Sequence, residues 1–299
     1  MRAFAVPALL LLCLIWTTSA DELEWHEDEI RSVTDSQPVT VDPTKVITLS
    51  WHPRVFLYKH FLTDEECDHV INLAKDKLTK SMVADNDSGK SVESEIRTSS
   101  GMFLSKAQDE IVKTIEDKIA SWTFLHPDNG EAMQILKYEY GQKYEPHFDY
   151  FHDKYNQVQG GHRIATVLMY LSDVIKGGET VFPSAEDKSF KDDSWTECGK
   201  RGVAVKPRKG DALLFYNLHT NASPDEESLH MGCPVIEGEK WSATKWIHVS
   251  SFEKHMDGCI DENEMCGEWA AYGECDKNPA YMVGTKSAPG ACLQSCKMC

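Results

Sequence analysis

The sequence of 299 residues has no excess of positive charge, which limits the partners it can have. It contains 31 Lys and Arg against 48 Asp and Glu, so its formal net charge is −17 at pH 7. Proteins that bind nucleic acid present a basic face to the phosphates, so this composition argues against a nucleic-acid partner. The acidic balance fits a soluble protein and electrostatic steering of basic peptides.

The start of the sequence lacks an apolar run of full membrane-spanning length. The run from Ala3 to Trp16 is shorter than the roughly 17–25 residues of a bilayer span, and small residues suited to cleavage follow it at 18–20. We interpret residues 1–20 as a secretory signal peptide, with a retained signal-anchor of a type II membrane protein as the alternative. Either interpretation makes the rest of the chain lumenal or extracellular, and we predict the lumen of the endoplasmic reticulum. Glycosylation sequons at Asn86 and Asn221 agree with that compartment.

The last 41 residues lack histidine and paired Cys-x-x-Cys knuckles, which disfavours a zinc site there. They contain six of the ten cysteines: Cys259, Cys266, Cys275, Cys292, Cys296 and Cys299. So short a segment cannot build an adequate apolar core, so six cysteines in an oxidising compartment indicate a disulfide framework. The spacing does not choose among the many pairings. In the body of the chain, Cys198 and Cys233 are candidates for a further disulfide, and Cys67 for a buried thiol.

Hydrophobic periodicity predicts helices followed by a long β region. Residues 21–46 are polar and acidic and are interpreted as a linker. A capping box at Thr63–Glu66 opens a predicted helix that ends near Leu78, and a second amphipathic helix is predicted over 106–122. The period then changes to two, with strands predicted at 133–140, 144–150, 163–171, 179–182, 202–206, 212–217, 232–236 and 244–249. We therefore predict a mainly β fold in which flanking helices support a jelly roll, plus a small disulfide-rich C-terminal domain.

One aromatic-rich stretch, Tyr138–Asp149, carries a candidate metal site. If it is a strand, its period of two places His147 and Asp149 on one face, and His230 supplies a third ligand from far down the chain. Two His and one carboxylate, with open positions opposite, form the ligand set of non-haem Fe(II) oxygenases. On spacing alone, a hydrogen-bonded pair at a strand end is the alternative. Lys240 lies among strand-like apolar residues, where an anionic ligand such as a small dicarboxylate would satisfy its ammonium.

A series of ordered motifs in this sequence resembles the plant-type prolyl 4-hydroxylases. They are Tyr138-x-x-Gly-x-x-Tyr144-x-x-His147-x-Asp149, Arg163–Ser172, Gly177–Pro183 and His230-x-Gly-Cys-Pro, with Lys240-Trp following. The resemblance places this domain at residues 47–252, and the tail at 259–299 resembles a ShK toxin-like (ShKT) domain. It implies a double-stranded β-helix and a dioxygenase that uses Fe(II), 2-oxoglutarate and O2 to hydroxylate peptidyl proline at C4. Ascorbate is implied as the reductant that restores oxidised iron.

The resemblance also implies roles for individual residues. Fe(II) would be held by His147, Asp149 and His230. The 2-oxoglutarate would be bound by Lys240, Tyr138 and Thr180. The peptide groove would be lined by Tyr144, Arg163, Trp246 and Arg97. The tail disulfides would be Cys259–Cys299, Cys266–Cys292 and Cys275–Cys296.

The substrates implied by the resemblance are proline-rich proteins, in particular hydroxyproline-rich cell-wall glycoproteins. One alternative is another 2-oxoglutarate oxygenase of the same fold, such as a lysyl hydroxylase, against which Lys240 and Tyr144 argue. The other is a non-enzymatic secreted binding protein, which the intact three-ligand set and Lys240 disfavour. We interpret His219 and His248 as structural. No feature of the sequence indicates an oligomeric state.

Overall fold

The computed structural model describes residues 41–84, 91–93, 95–153, 156–185, 191–252, 261–285, 288–296 and 298. The predicted signal segment, most of the predicted linker, Asn86, Cys259 and Cys299 lie outside the described residues. Within the ranges just given, no helix is both long enough and apolar enough to cross a bilayer.

The described residues form a mainly β structure with a few helices. The helices are α1 Asp64–Ala74, α2 Glu110–Thr123, α3 Cys266–Ala271, α4 Glu274–Lys277 and α5 Pro279–Met282. The strands are β1 Val46–Trp51, β2 Arg54–Tyr58, β3 Thr79–Lys80, β4 Met82–Ala84, β5 Ser91–Glu93, β6 Ser100–Leu104, β7 Met133–Tyr138, β8 Tyr144–His147, β9 Arg163–Tyr170, β10 Lys176–Gly177, β11 Thr180–Phe182, β12 Val203–Val205, β13 Ala212–Tyr216, β14 His230–Gly232, β15 Val235–Glu237, β16 Lys240–His248, β17 Gly284–Thr285 and β18 Ala288–Pro289.

Two antiparallel sheets build the jelly roll that the periodicity predicts. The large sheet has the order β1-β2-β13-β9-β16-β7-β6-β3, and the small sheet has the order β12-β11-β14-β8. Phe182 and Val203 of the small sheet pack with Leu213 and Phe215 of the large sheet in one buried cluster. Both sheets therefore bury side chains in a shared core, and the predicted fold class is confirmed.

The alternation of side chains along the large sheet separates its two faces. On β13, Leu213 and Phe215 point toward the small sheet, whereas Ala212 and Leu214 belong to a second core beneath α1 and α2. Ile115 of α2 is fully buried in that second core, and such a burial contributes roughly 1.5–3 kcal/mol. The helices thus cover one face of the large sheet and leave the other face to form the site.

Both long helices begin at identifiable caps. The Thr63 hydroxyl accepts from the Glu66 amide at 3.2 Å, and the Glu66 carboxylate accepts from the Thr63 amide at 2.8 Å, which is the predicted capping box. In α2 the Asp109 carboxylate accepts from the Val112 amide at 2.9 Å. Helix α2 therefore begins later than the predicted residue 106, because Asp109 is the residue that caps it.

Several predicted strand boundaries are wrong, each for a local reason. The predicted strand at 144–150 ends at His147, so Asp149 lies in a bend and turns inward to the Thr166 hydroxyl. The predicted strand at 232–236 divides between β14 and β15, where Pro234 has no amide to donate. The last strand begins at Lys240 rather than residue 244 because its charged side chains have buried partners. The predicted linker ends early, since the Asp42 amide already bonds the Tyr58 hydroxyl.

The cysteines take the states that the sequence and the resemblance suggested, as far as the described residues extend. The structure contains the disulfides Cys198–Cys233, Cys266–Cys292 and Cys275–Cys296. Cys67 of α1 is a buried free thiol, and burial raises its pKa to about 12, so it is poorly nucleophilic. The tail has a core of its own around Cys266, Met282 and Cys292.

Candidate active site and metal centre

The small sheet brings the three predicted metal ligands together. His147, the last residue of β8, is the register partner of His230, the first residue of β14. Asp149 follows two residues later, and its two carboxylate oxygens lie 3.6 Å from His147 Nε2 and 3.7 Å from His230 Nε2. One donor atom from each residue lies within 4.8 Å of the others. Residues more than 80 positions apart thus face one point.

The hydrogen bonds of both imidazoles prepare them to bind a cation. His147 Nδ1 donates to the Glu145 carbonyl at 2.8 Å, and His230 Nδ1 donates to the Ser228 carbonyl at 3.0 Å. A carbonyl only accepts, so each proton sits on Nδ1 and each Nε2 presents a lone pair to the shared point. Burial, assisted by His230, lowers the pKa of His147 to about 3, which keeps that ring neutral.

Asp149 completes a donor set that fits non-haem iron. Burial alone would raise its pKa, but His230 and His147 lower it to about 2, so it is a carboxylate at neutral pH. Two imidazoles and one carboxylate, with the cavity open beside them, match the facial triad of Fe(II) oxygenases. The residues present therefore fit that metal.

A hydroxyl and an amide behind the site orient Asp149. Thr166 Oγ1 donates to Asp149 Oδ2 at 2.7 Å and accepts from Asn217 Nδ2 at 3.0 Å, and both residues are buried. The predictions omitted Thr166 and Asn217. Thr166 could have been found in the sequence as a hydroxyl residue between two apolar neighbours on β9, at a position that faces the site.

Replacing Thr166 by Val is expected to weaken metal binding about 10–100-fold, because Asp149 loses the hydroxyl that fixes its carboxylate. The apparent Kd for Fe(II), or for Co(II) as a spectroscopic substitute, measures this directly. Thr166→Ser keeps the hydroxyl and serves as the matched control, with near-normal affinity expected. Equal affinities in wild type and Thr166→Val would show that the Thr166 hydroxyl does not orient the ligand.

Lys240 lies in the cavity that contains the three ligands. Its buried ammonium donates to the Gly178 carbonyl at 2.8 Å and lies 5.5 Å from the ring centroids of Tyr138 and Tyr170. Across the described residues, no carboxylate lies within ion-pair distance of its Nζ. Burial lowers its pKa to about 8, although Glu179 opposes the shift. A buried ammonium without a carboxylate partner is costly, so this cavity suits an anionic ligand.

The other two predicted cosubstrate residues line the same cavity. Tyr138 ends β7 opposite Lys240 in the sheet register. The Thr180 hydroxyl accepts from the Tyr170 phenol at 2.8 Å, and burial raises the pKa of Tyr170 well above its usual range. Tyr170, which the predictions omitted, therefore holds Thr180 against the cavity wall.

The predicted groove residues surround the open side of the metal centre. Tyr144 stacks on His147, with ring centroids 3.5 Å apart, and Arg97 lies 4.8 Å from the Tyr144 ring. Arg97 also donates to the Gln134 side chain at 2.7 Å. Trp246 Nε1 and Arg97 Nε are buried without a hydrogen-bond partner among the described residues. Such orphaned donors suit a ligand that brings acceptors.

Arg163 is held in place by a residue that the predictions omitted. Its guanidinium donates to both oxygens of Glu131, at 2.5 and 3.0 Å, and lies 4.0 Å from the Trp246 ring. His248 Nε2 bonds the same carboxylate at 2.9 Å, so His248 is structural as interpreted. Burial would raise the pKa of Glu131, but Arg163 and His248 lower it to about 2. No motif marked Glu131 in the sequence.

This chain is similar in sequence to known 2-oxoglutarate oxygenases. The family model of the 2OG-Fe(II) oxygenase superfamily matches residues 133–248. "Probable prolyl 4-hydroxylase 7" of Arabidopsis thaliana is 67% identical over 90% of this chain and 87% of its own length. "Prolyl 4-hydroxylase 2" of the same plant is 60% identical over 87% of this chain and 89% of its own. A viral collagen prolyl hydroxylase from Paramecium Bursaria Chlorella virus-1, solved with 2OG, is 26% identical over 64% of this chain and 94% of that one, with a TM-score of 0.49.

Proposed function

This chain belongs to the prolyl 4-hydroxylase family of 2OG-Fe(II) oxygenases, and from that premise we propose which residues perform the reaction and which substrates they serve. The enzyme hydroxylates proline in a 2-oxoglutarate-dependent reaction. When bound, Fe(II), 2-oxoglutarate and O2 supply the oxidising chemistry that adds a hydroxyl to proline C4 and releases succinate and CO2. The chain itself supplies binding, orientation and exclusion of water.

The Fe(II) ligands in this proposal are His147, Asp149 and His230. One observation carries the assignment: these three donors and the unpaired ammonium of Lys240 line one cavity. A dicarboxylate that chelates the metal at one end can then bring its other carboxylate to Lys240. Tyr138 and Thr180 line the same cavity and would contribute hydrogen bonds from their hydroxyl groups to that carboxylate.

The peptide substrate lies in the groove beside the metal, lined in part by Tyr144, Arg97, Arg163 and Trp246. Glu131 fixes the Arg163 guanidinium, and that guanidinium lies against Trp246, so this part of the groove is held in place before substrate arrives. Arg97 Nε and Trp246 Nε1 supply donors to peptide carbonyls, which suits a chain rich in proline because proline residues accept but cannot donate.

We place the enzyme in the lumen of the endoplasmic reticulum, with residues 1–20 as signal peptide or retained anchor and hydroxyproline-rich cell-wall glycoproteins as substrates. Ascorbate as the reductant follows from the family resemblance. Asn221 is exposed in a turn, which fits a glycosylation site. The disulfides Cys266–Cys292 and Cys275–Cys296 support assignment of residues 259–299 to an ShKT domain.

Mass spectrometry of purified protein incubated with Fe(II), 2-oxoglutarate and a proline-rich peptide containing lysine tests this substrate class. We expect one oxygen atom to be added per modified residue, at proline only, with stoichiometric succinate. Hydroxylation at lysine would instead support a lysyl hydroxylase. A peptide of the same composition with alanine for proline serves as the control and should remain unmodified.

A further inference from the structure

The disulfide-rich tail presents a shallow aromatic groove that the catalytic site does not use. The groove is lined by Trp269, Tyr272, Glu274, Asn278, Tyr281 and Met282. Tyr272 is 67% exposed and Tyr281 is 45% exposed, and the Trp269 and Tyr281 rings meet edge to face at 5.9 Å. Trp269 packs against the buried Cys266, Met282 and Cys292, whereas Tyr272 and Tyr281 do not belong to that core.

Four polar side chains of this tail groove can donate hydrogen bonds. No partner within the described part of the chain is found for the Trp269 indole N–H, the Asn278 side-chain amide, or the hydroxyls of Tyr272 and Tyr281. A proline-rich chain in the polyproline II conformation exposes carbonyl acceptors and has few amide donors. Grooves lined by aromatic rings recognise that conformation because it is already extended before binding. The tail groove therefore matches a proline-rich segment better than an ordinary peptide.

The charge of the tail defines the partner further. Residues 259–299 contain six acidic and three basic side chains. Glu274 lines the tail groove and lies 3.9 Å from the Lys277 ammonium, which also donates to the Tyr272 carbonyl at 2.6 Å. The net acidic charge of the tail, with Glu274 on the wall of an aromatic groove, suits a segment in which lysine alternates with proline.

We propose that the tail groove binds a lysine-containing proline-rich segment of the same substrate chain that the catalytic domain hydroxylates. This inference rests on the proposed function. Because both binding sites belong to one polypeptide, holding one segment raises the effective concentration of neighbouring prolines at the catalytic groove. Long substrates gain from this second contact, and peptides too short to reach both sites do not.

The test compares a long and a short peptide on the full-length enzyme. The long probe has about 30 residues of Pro-Pro-Pro-Lys repeats and extends for about 90 Å, and the short probe is one repeat with flanking residues. In the double variant Tyr272→Ala/Tyr281→Ala we expect KM for the long peptide to rise at least about tenfold, with kcat and the short-peptide kinetics unchanged. An unchanged KM for the long peptide overturns the proposal.

Two further variants test the location of the binding site and the charge of the partner separately. Phe124→Ala removes a 93% exposed ring outside the tail and should leave both KM values unchanged. Glu274→Lys should raise KM for the lysine-containing long peptide but not for a Pro-Pro-Pro-Glu peptide of equal length. Equal responses to both peptides would overturn the assignment of a basic partner. If wild type does not hydroxylate even the short peptide, the proposed function itself fails, whereas a hydroxylated short peptide with no long-peptide effect rejects only the tail groove.

Discussion

Replacing His230 by Ala is expected to reduce proline hydroxylation and succinate release to below about 1% of wild type, since loss of a ligand should exceed the 10–100-fold loss typical of its supporting partners. His230 is buried, and its Nε2 faces the point shared with His147 and Asp149. Neither water nor a neighbouring side chain reproduces that nitrogen at the same position. His147→Ala should have an equally large effect, because the two imidazoles are register partners.

Measurement of bound metal separates this prediction from a folding defect. The variant should retain a cooperative unfolding transition while its iron or cobalt content falls in parallel with turnover. His219→Ala is the matched control, because His219 is half-exposed and near Asp225, outside the cavity. Full activity in His230→Ala, or an equal loss in His219→Ala, would remove His230 from the ligand set.

Replacing Lys240 by Met should lower kcat/KM for 2-oxoglutarate about 10²–10⁴-fold, equivalent to roughly 3–5 kcal/mol for loss of one partner of a buried ion pair. The methionine fills the space but cannot pair with the distal carboxylate. KM for the peptide should change little, since Lys240 lies deep in the cavity rather than in the peptide groove. Succinate release measured at varied 2-oxoglutarate and fixed peptide concentration gives kcat and KM for 2-oxoglutarate separately.

Lys245 provides the control on the same strand. It follows Lys240 by five residues on the opposite face of β16, where its ammonium bonds Glu116 of α2. Lys245→Met should lower the free energy of unfolding by roughly 3–5 kcal/mol, because Glu116 is left buried and unpaired, without changing KM for 2-oxoglutarate. A 2-oxoglutarate defect of equal size in both variants would mean that Lys240 acts through the fold rather than through the ligand.

The pH dependence of the wild type provides a second measure of Lys240. Its pKa of about 8 lies below the ordinary 10.5, so the ammonium is present below pH 8 and is lost as pH rises. We expect kcat/KM for 2-oxoglutarate to fall about tenfold per pH unit above that value. The effect of Lys240 on folding stability has the opposite pH dependence. Between pH 8 and 10.5 the folded form binds fewer protons than the unfolded form, so the free energy of unfolding rises across that range. Lys240→Arg stays charged and should show no such decline.

Much of the site could be predicted because its metal-binding and charged residues occur in short sequence motifs. The His147–Asp149 spacing, the late His230 and the unexplained Lys240 each depend on residue type at one position, and residue type is visible in a sequence. The capping box at Thr63 was readable for the same reason, since both of its hydrogen bonds join residues three apart. The predicted jelly roll followed from the change of period near Met133.

The parts that prediction missed depend on contacts between distant segments. Glu131 fixes Arg163 across 32 positions, and Asn217 supports Thr166 across 51 positions. Neither pairing leaves a local pattern. The strand that carries Asp149 was predicted too long because its residues suit a strand, whereas the chain bends after His147 so that the carboxylate can reach Thr166.

The sequence by itself determined which donor groups this protein contains, because imidazole, carboxylate and ammonium groups are properties of residues. It also determined the alternation that makes β16 present Lys240 to the cavity and Lys245 to the helices. Only the tertiary structure decided which of those groups share a point, which carbonyls fix their protons, and which ammonium lacks a carboxylate. Those outcomes follow from antiparallel register between strands far apart in the chain, and residue spacing along one strand contains no information about the register of another.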